Sequence, residues 1–164
     1  MRVLLLEPPK TPWEMMGDVA ALPLGLAQLA ACLEQAEIPV EILDANALGI
    51  GWEALEAAIA QAAPNLIGIT VYTPYVPEVS RAVHVARQAA PEAVIALGGP
   101  HVTFTVAETL ATMPQVDVVA RGEGDQIIVD LARALDSGDG LEKVPGISFR
   151  RDGQIVENSV RRCH

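Results

Sequence analysis

Five times along this chain a short, mainly apolar run gives way to a stretch whose apolar residues recur at helical spacing. The runs are Arg2–Leu6, Val40–Leu43, Leu66–Val71, Ala93–Leu97 and Val116–Val119. Strands that face water on one side alternate apolar with polar, whereas a run without alternation, such as Ala93–Leu97, fits a parallel strand covered by helices on both faces. The helical stretches follow each run in turn. Leu22, Leu26, Leu29 and Leu33 mark the first, and Trp52, Leu55, Ile59 and Ala62 the second, which Pro64 closes. Val76–Ala89, Thr103–Met113 and Gly124–Leu135 complete the set. Five βα units in a row predict a doubly wound, five-stranded parallel sheet with right-handed crossovers. The flavodoxin-like strand order 2-1-3-4-5 is the expected arrangement, with a crevice between the loops after strands one and three.

The tail breaks this rhythm. Gly146–Arg150 and Gln154–Val156 flank Arg151-Asp152-Gly153, and an Asp-Gly between two short strand-like runs reads as a β-hairpin. The segment Asp136–Val144 is the candidate boundary, dividing a Rossmann-like domain at residues 1–140 from a hairpin and tail at 141–164.

At 164 residues, about half of them hydrophobic (51%), the chain suits one domain with a full core. A formal net charge of −10 repels phosphate backbones and anionic lipid, which argues against nucleic-acid and membrane partners. No apolar run approaches the roughly 20 residues that span a bilayer. The start, MRVLLLEPP, reads as a first strand and not as a secretory signal, pointing to a cytoplasmic protein. The two cysteines, Cys32 in a helical apolar pattern and Cys163 beside His164, are too few for an iron–sulfur cluster.

In open parallel sheets ligands gather at the carboxyl ends of strands. Here those ends carry Glu7-Pro8-Pro9, Asp44-Ala45-Asn46, Thr70-Val71-Tyr72-Thr73-Pro74, Gly98-Gly99-Pro100-His101 and Arg121-Gly122-Glu123-Gly124-Asp125. The set is rich in Gly, Thr and backbone amides and poor in nucleophiles and paired bases. Gly98 and Gly99 remove side chains where a strand meets the sheet edge, which either lets something flat or bulky lie against the backbone or serves an ordinary tight turn. Arg121–Asp125 either closes over a ligand's polar edge at a helix start or is a glycine turn with acidic residues favourably placed there. No GxGxxG follows the first strand, and no Walker loop or GxSxG elbow occurs, so the matching phosphate cradles and nucleophile are missing. The three histidines are too dispersed for a metal triad.

Taken in order, LLLEPP, LPLGLAQLAACLEQ, the Thr after strand three, LGGPHVTF and VVARGEGD resemble the cobalamin-binding domain at the N-terminus of cobalamin-dependent radical SAM proteins. Methyltransferases and anaerobic magnesium-protoporphyrin monomethyl ester cyclases belong to that group. The resemblance runs from Met1 to about Val160. It implies a Rossmann-like domain holding cobalamin with its nucleotide tail extended into the crevice. It also assigns roles by position. Thr70 and Tyr72, with Val71 and Thr73 beside them, stand where a hydroxyl meets the buried base. Gly98 and Gly99, followed by Pro100 and His101, leave the tail its channel, and Gly122, Glu123 and Gly124 lie near the corrin edge.

The wider superfamily has Asp-x-His-x-x-Gly after strand one, whose His binds cobalt. This chain has Glu7-Pro8-Pro9-Lys10 and no His there. The implied binding is therefore base-off without a protein histidine, with Pro9 in the loop and Trp13, Met15, Met16 or water near a cobalt face. The CxxxCxxC motif of radical SAM enzymes is also absent. The 4Fe–4S cluster and S-adenosylmethionine would then belong to a catalytic domain outside these residues, acting in cis or in trans. Two other readings use the same crevice or surface: a flavodoxin-like flavin or nucleotide binder, and a degenerate docking domain.

Overall fold

The computed structural model describes residues 1–10 and 23–160. Its centre is a seven-stranded sheet in the order β2-β1-β3-β4-β5-β6-β7. The strands are β1 (Val3–Glu7), β2 (Val40–Asp44), β3 (Leu66–Thr70), β4 (Val94–Gly98), β5 (Val118–Ala120), β6 (Ile147–Arg151) and β7 (Gln154–Glu157). The first five pair in parallel and in the expected order, 2-1-3-4-5. The hairpin that composition sets apart joins this sheet, because β6 pairs antiparallel with β5 and β7 with β6. Asp152 and Gly153, both at positive φ, turn the chain between them, as the Asp-Gly signal requires.

Among the described residues six α-helices flank the sheet: α1 (Leu24–Gln35), α2 (Trp52–Ala62), α3 (Val76–Ala89), α4 (Pro100–Phe104), α5 (Val106–Thr112) and α6 (Gly124–Ser137). Leu22, expected on the first helix, lies outside the described residues. The stretch Thr103–Met113, expected as one helix, is instead part of two. The break falls at Thr105, whose backbone leaves helical geometry and whose hydroxyl donates to the His101 carbonyl at 2.9 Å. Such side-chain bonding to a preceding carbonyl competes with the helical ladder.

Strand side chains alternate between the two faces, so each strand feeds two cores. Leu4, Leu6, Ile67, Ile69, Ile95, Leu97 and Val119 pack with α2, α3, α4 and α5 on one side. Val3, Leu5, Leu66, Ala96 and Val118 pack with α1 and α6 on the other. The first face is filled by large branched residues throughout. The second becomes small toward the carboxyl ends of its strands, and that asymmetry positions the site.

Candidate cofactor-binding site

The register brings the small residues together. Gly68 of β3 stands beside Ala96 of β4, and Thr70 beside Gly98. A Cβ built on Gly98 would lie 3.8 Å from the Ala120 Cβ of β5. Gly68, Ala96, Gly98 and Ala120 therefore form one patch on the face toward α1 and α6, where full-sized residues would meet the helices. With little side chain on the floor, a cavity of about 330 Å³ stays open between sheet and helices. That size is at the lower end of small-molecule pockets. Its roof comes from Gly25, Leu26, Gln28 and Leu29 of α1 and from Ile127, Ile128 and Leu131 of α6.

Apart from Gln28, the floor and roof are apolar, and polar groups collect at the mouth. Thr70 and Tyr72 reach it from the end of β3, and Gly98, Gly99 and Pro100 from the end of β4. Gly122, Glu123, Gly124 and Asp125 bring the start of α6 to the same rim. The two walls touch there. Gln28 Nε2 donates to Asp125 Oδ2 at 3.3 Å, and Leu29 packs so tightly on Gly124 that an added Cβ would be 3.1 Å away.

The two glycines after β4 do different things. Gly98 has ordinary φ and open space beyond the Ala120 contact, so its missing side chain is cavity volume. Gly99 lines the cavity, yet its φ is +103°, and a Cβ there would meet the Val71 carbonyl oxygen at 2.9 Å and the Val71 nitrogen at 3.0 Å. It is required by backbone conformation and by the approach of two strand ends, which the Val71 N–H bond to the Gly98 carbonyl (2.8 Å) fastens.

Other residues expected at the site lie elsewhere. Val71 is fully buried in the opposite core. Thr73 and His101 face each other, Oγ1 to Nδ1 at 3.1 Å, outside the cavity lining. Pro9 borders a separate hollow with Lys10, Trp52 and residues of α3, on the other side of the sheet. The loop carrying it is pinned at its root: Lys10 pairs with Glu7, its N–H donates to Asn46 Oδ1 at 2.8 Å, and Asn46 Nδ2 donates to the Pro8 carbonyl at 2.9 Å. Trp13, Met15 and Met16 are outside the described residues. The cavity itself lies over β3, β4 and β5 and not between the loops after strands one and three, because the small residues sit on those strands.

Sequence reasoning missed Gly68, Ala96, Ala120 and the roof residues of α1 and α6. A glycine inside an apolar run, as in Leu66–Thr70, was the available signal, since it weakens a strand unless something must approach it closely. Among the described residues no group of three or more His, Cys, Asp and Glu side chains could hold a metal ion, and no His, Cys or Met lines the cavity.

An open, doubly wound sheet with a slot at the carboxyl ends of its strands defines a cofactor- or ligand-binding module. The family model described as B12 binding domain matches residues 19–132, and the chain belongs to that family. An uncharacterized methyltransferase of Pyrococcus horikoshii is 31% identical over 162 residues, covering 98% of this chain and 35% of that protein. The anaerobic magnesium-protoporphyrin IX monomethyl ester cyclase of Synechocystis sp. is 33% identical over 165 residues, covering 96% of this chain and 32% of that protein. The chain thus spans about a third of the length of these curated relatives.

Solved structures share the fold. The radical S-adenosylmethionine methyltransferase TsrM from Kitasatospora setae, with cobalamin and a 4Fe–4S cluster bound, superposes with a TM-score of 0.83 at 23% identity. That match covers 98% of this chain and 29% of TsrM. The cobalamin-dependent radical enzyme OxsB, with aqua-cobalamin bound, gives 0.82 at 18% identity over 99% of this chain and 22% of OxsB. The expected Rossmann-like architecture and family membership both hold.

Proposed function

We propose that this chain binds cobalamin base-off, with no protein histidine beneath cobalt, as the cofactor module of a radical SAM methyltransferase or cyclase. The observation that carries this reading is the side-chain-poor floor of Gly68, Ala96, Gly98 and Ala120 under α1 and α6. A long, flat-ended ligand tail needs a slot whose walls are backbone, and this floor supplies one. Thr70 and Tyr72 bring hydroxyl-bearing side chains to the mouth, which Gly99, Pro100, Gly122, Glu123 and Gly124 complete and where a macrocycle would rest. The absence of histidine from the described lining and from Glu7–Lys10 favours binding without a protein imidazole. Cobalamin supplies cobalt-centred methyl-transfer or radical chemistry; this chain's residues hold and orient it and keep water from its buried end. Val71, Thr73, His101 and Pro9 support the loops around it, and Trp13, Met15 and Met16 belong to the segment we assign to a cobalt face. The 4Fe–4S cluster and S-adenosylmethionine belong to a catalytic domain in cis or in trans, and the whole acts in the cytoplasm.

A titration with hydroxocobalamin tests the reading. Binding should move the visible spectrum to a base-off form at neutral pH, while the fluorescence of flavin mononucleotide stays unquenched. An unchanged cobalamin spectrum refutes the proposal, and flavin quenching would select the flavodoxin-like alternative. Gly98→Leu is the matched variant. Its Cβ has room and its φ is ordinary, so the protein should melt within a few degrees of the parent while cobalamin affinity falls at least about a hundredfold.

A further inference from the structure

The slot opens where the ladder between β4 and β5 ends. On the other side of β4 the pairing runs to the strand ends: Thr70 stands opposite Gly98, and the His101 N–H reaches back to the Val71 carbonyl at 3.3 Å. The β4–β5 ladder consists of Ala96–Val118 and Leu97–Val119. Beyond those pairs the strands carry Gly98 and Ala120, and the chain then turns at Gly99 (φ +103°) on one side and Gly122 (φ +86°) on the other.

Thr103 spans this gap. Its Oγ1 donates to the Gly99 carbonyl at 3.0 Å and accepts the Gly122 N–H at 3.3 Å. A helical threonine commonly donates to the carbonyl four residues back. Here the same oxygen also receives an amide from a different strand end. Thr103 is half-buried on α4 and outside the cavity lining, whereas both residues it joins belong to that lining. Arg121, next to Gly122, ties the same loop outward to the hairpin. Its N–H donates to the Gly146 carbonyl at 2.8 Å, and its guanidinium meets Glu157 at 3.2 Å and the Asn158 carbonyl. The Thr103 hydroxyl is a tie running the other way, toward β4.

Resting on the cobalamin reading, we propose that Thr103 is a positioning residue that fixes the separation of the two glycine turns and so sets the width of the mouth. A mouth that drifts is competent to bind only part of the time, and apparent affinity falls by that fraction. The fold itself leans little on the contact. Gly122 is exposed, so water takes over its N–H bond when the hydroxyl is removed.

Thr103→Val keeps the branched shape and removes both bonds, while Thr103→Ser keeps the hydroxyl and removes the methyl. Hydroxocobalamin titrations of the chain and both variants, with thermal melts in the absence of ligand, test the proposal. Thr103→Val should bind about fivefold more weakly and Thr103→Ser within about twofold of the parent, both melting within a few degrees of it. A Val variant that binds as tightly as the parent, or a Ser variant as weak as Val, overturns the role and leaves the cofactor reading standing. A Val variant melting far below the parent also overturns it, since the hydroxyl would then be a prop of the fold. Failure of the unaltered chain to bind hydroxocobalamin removes the cofactor reading and this inference together.

Discussion

Gly98 and Gly99 adjoin in sequence and answer to different physics. One empties a volume; the other allows a backbone conformation. Gly99→Ala should therefore damage the protein even without ligand. It places a Cβ 2.9 Å from a carbonyl oxygen at a φ of +103°, a conformation costing L-residues about 1–3 kcal/mol. Thermal denaturation of the apo chain should show a clear fall in melting temperature for Gly99→Ala and little change for Gly98→Ala. The sequence makes both glycines conspicuous, because a Gly-Gly after an apolar run is a local signal. It cannot show which does what, since φ and the neighbouring strand are fixed only by the fold. Gly68 leaves a weaker signal, a lone glycine in an apolar run, and Ala96 and Ala120 leave none; the three meet only through the register of three strands.

At the level of elements, strand existence and order were readable because mainly apolar runs and helical periods each span several residues. Boundaries moved by one or two residues, and the single expected helix at Thr103–Met113 divided at Thr105. That division depends on a hydroxyl choosing a carbonyl, which periodicity does not encode. The joint between α3 and the ends of β4 and β5 depends on a similar choice. Arg87, half-buried, donates to the carbonyls of Pro91, Ala93 and Gln115 and to the Asp117 carboxylate at 2.6 Å, and Asp117 also accepts the Ile95 N–H at 2.8 Å. Arg87→Met keeps much of the aliphatic stem and strands these acceptors. It should lower stability by about 1–3 kcal/mol in urea titration, a range reduced for partial solvent access. An unchanged midpoint would mean that water replaces the guanidinium without penalty.

For the whole molecule, the divide near residue 140 is a change of strand direction within one sheet. Val144, Ile147 and Phe149 are buried in the core that also holds α1 and α6. Arg150 reaches back to the carbonyls of Leu110, Pro114 and Val116, closing the end of α5. β5 has only three residues and pairs on both sides. Truncation after Gly140 should therefore uncover an apolar strand edge and abolish cooperative unfolding, read by circular dichroism and by binding of a hydrophobic dye. A shortened chain that still melts in one sharp transition would make the hairpin an accessory.

Because the bottom of the slot is already glycine and alanine, it has almost nothing left to remove. Any relative that accommodates a bulkier tail must raise its ceiling instead, through exchanges at Leu29, Ile127, Ile128 or Leu131 on the two covering helices. Diversity in cargo size should accordingly concentrate on one layer of this domain, while the strands beneath keep their smallest residues.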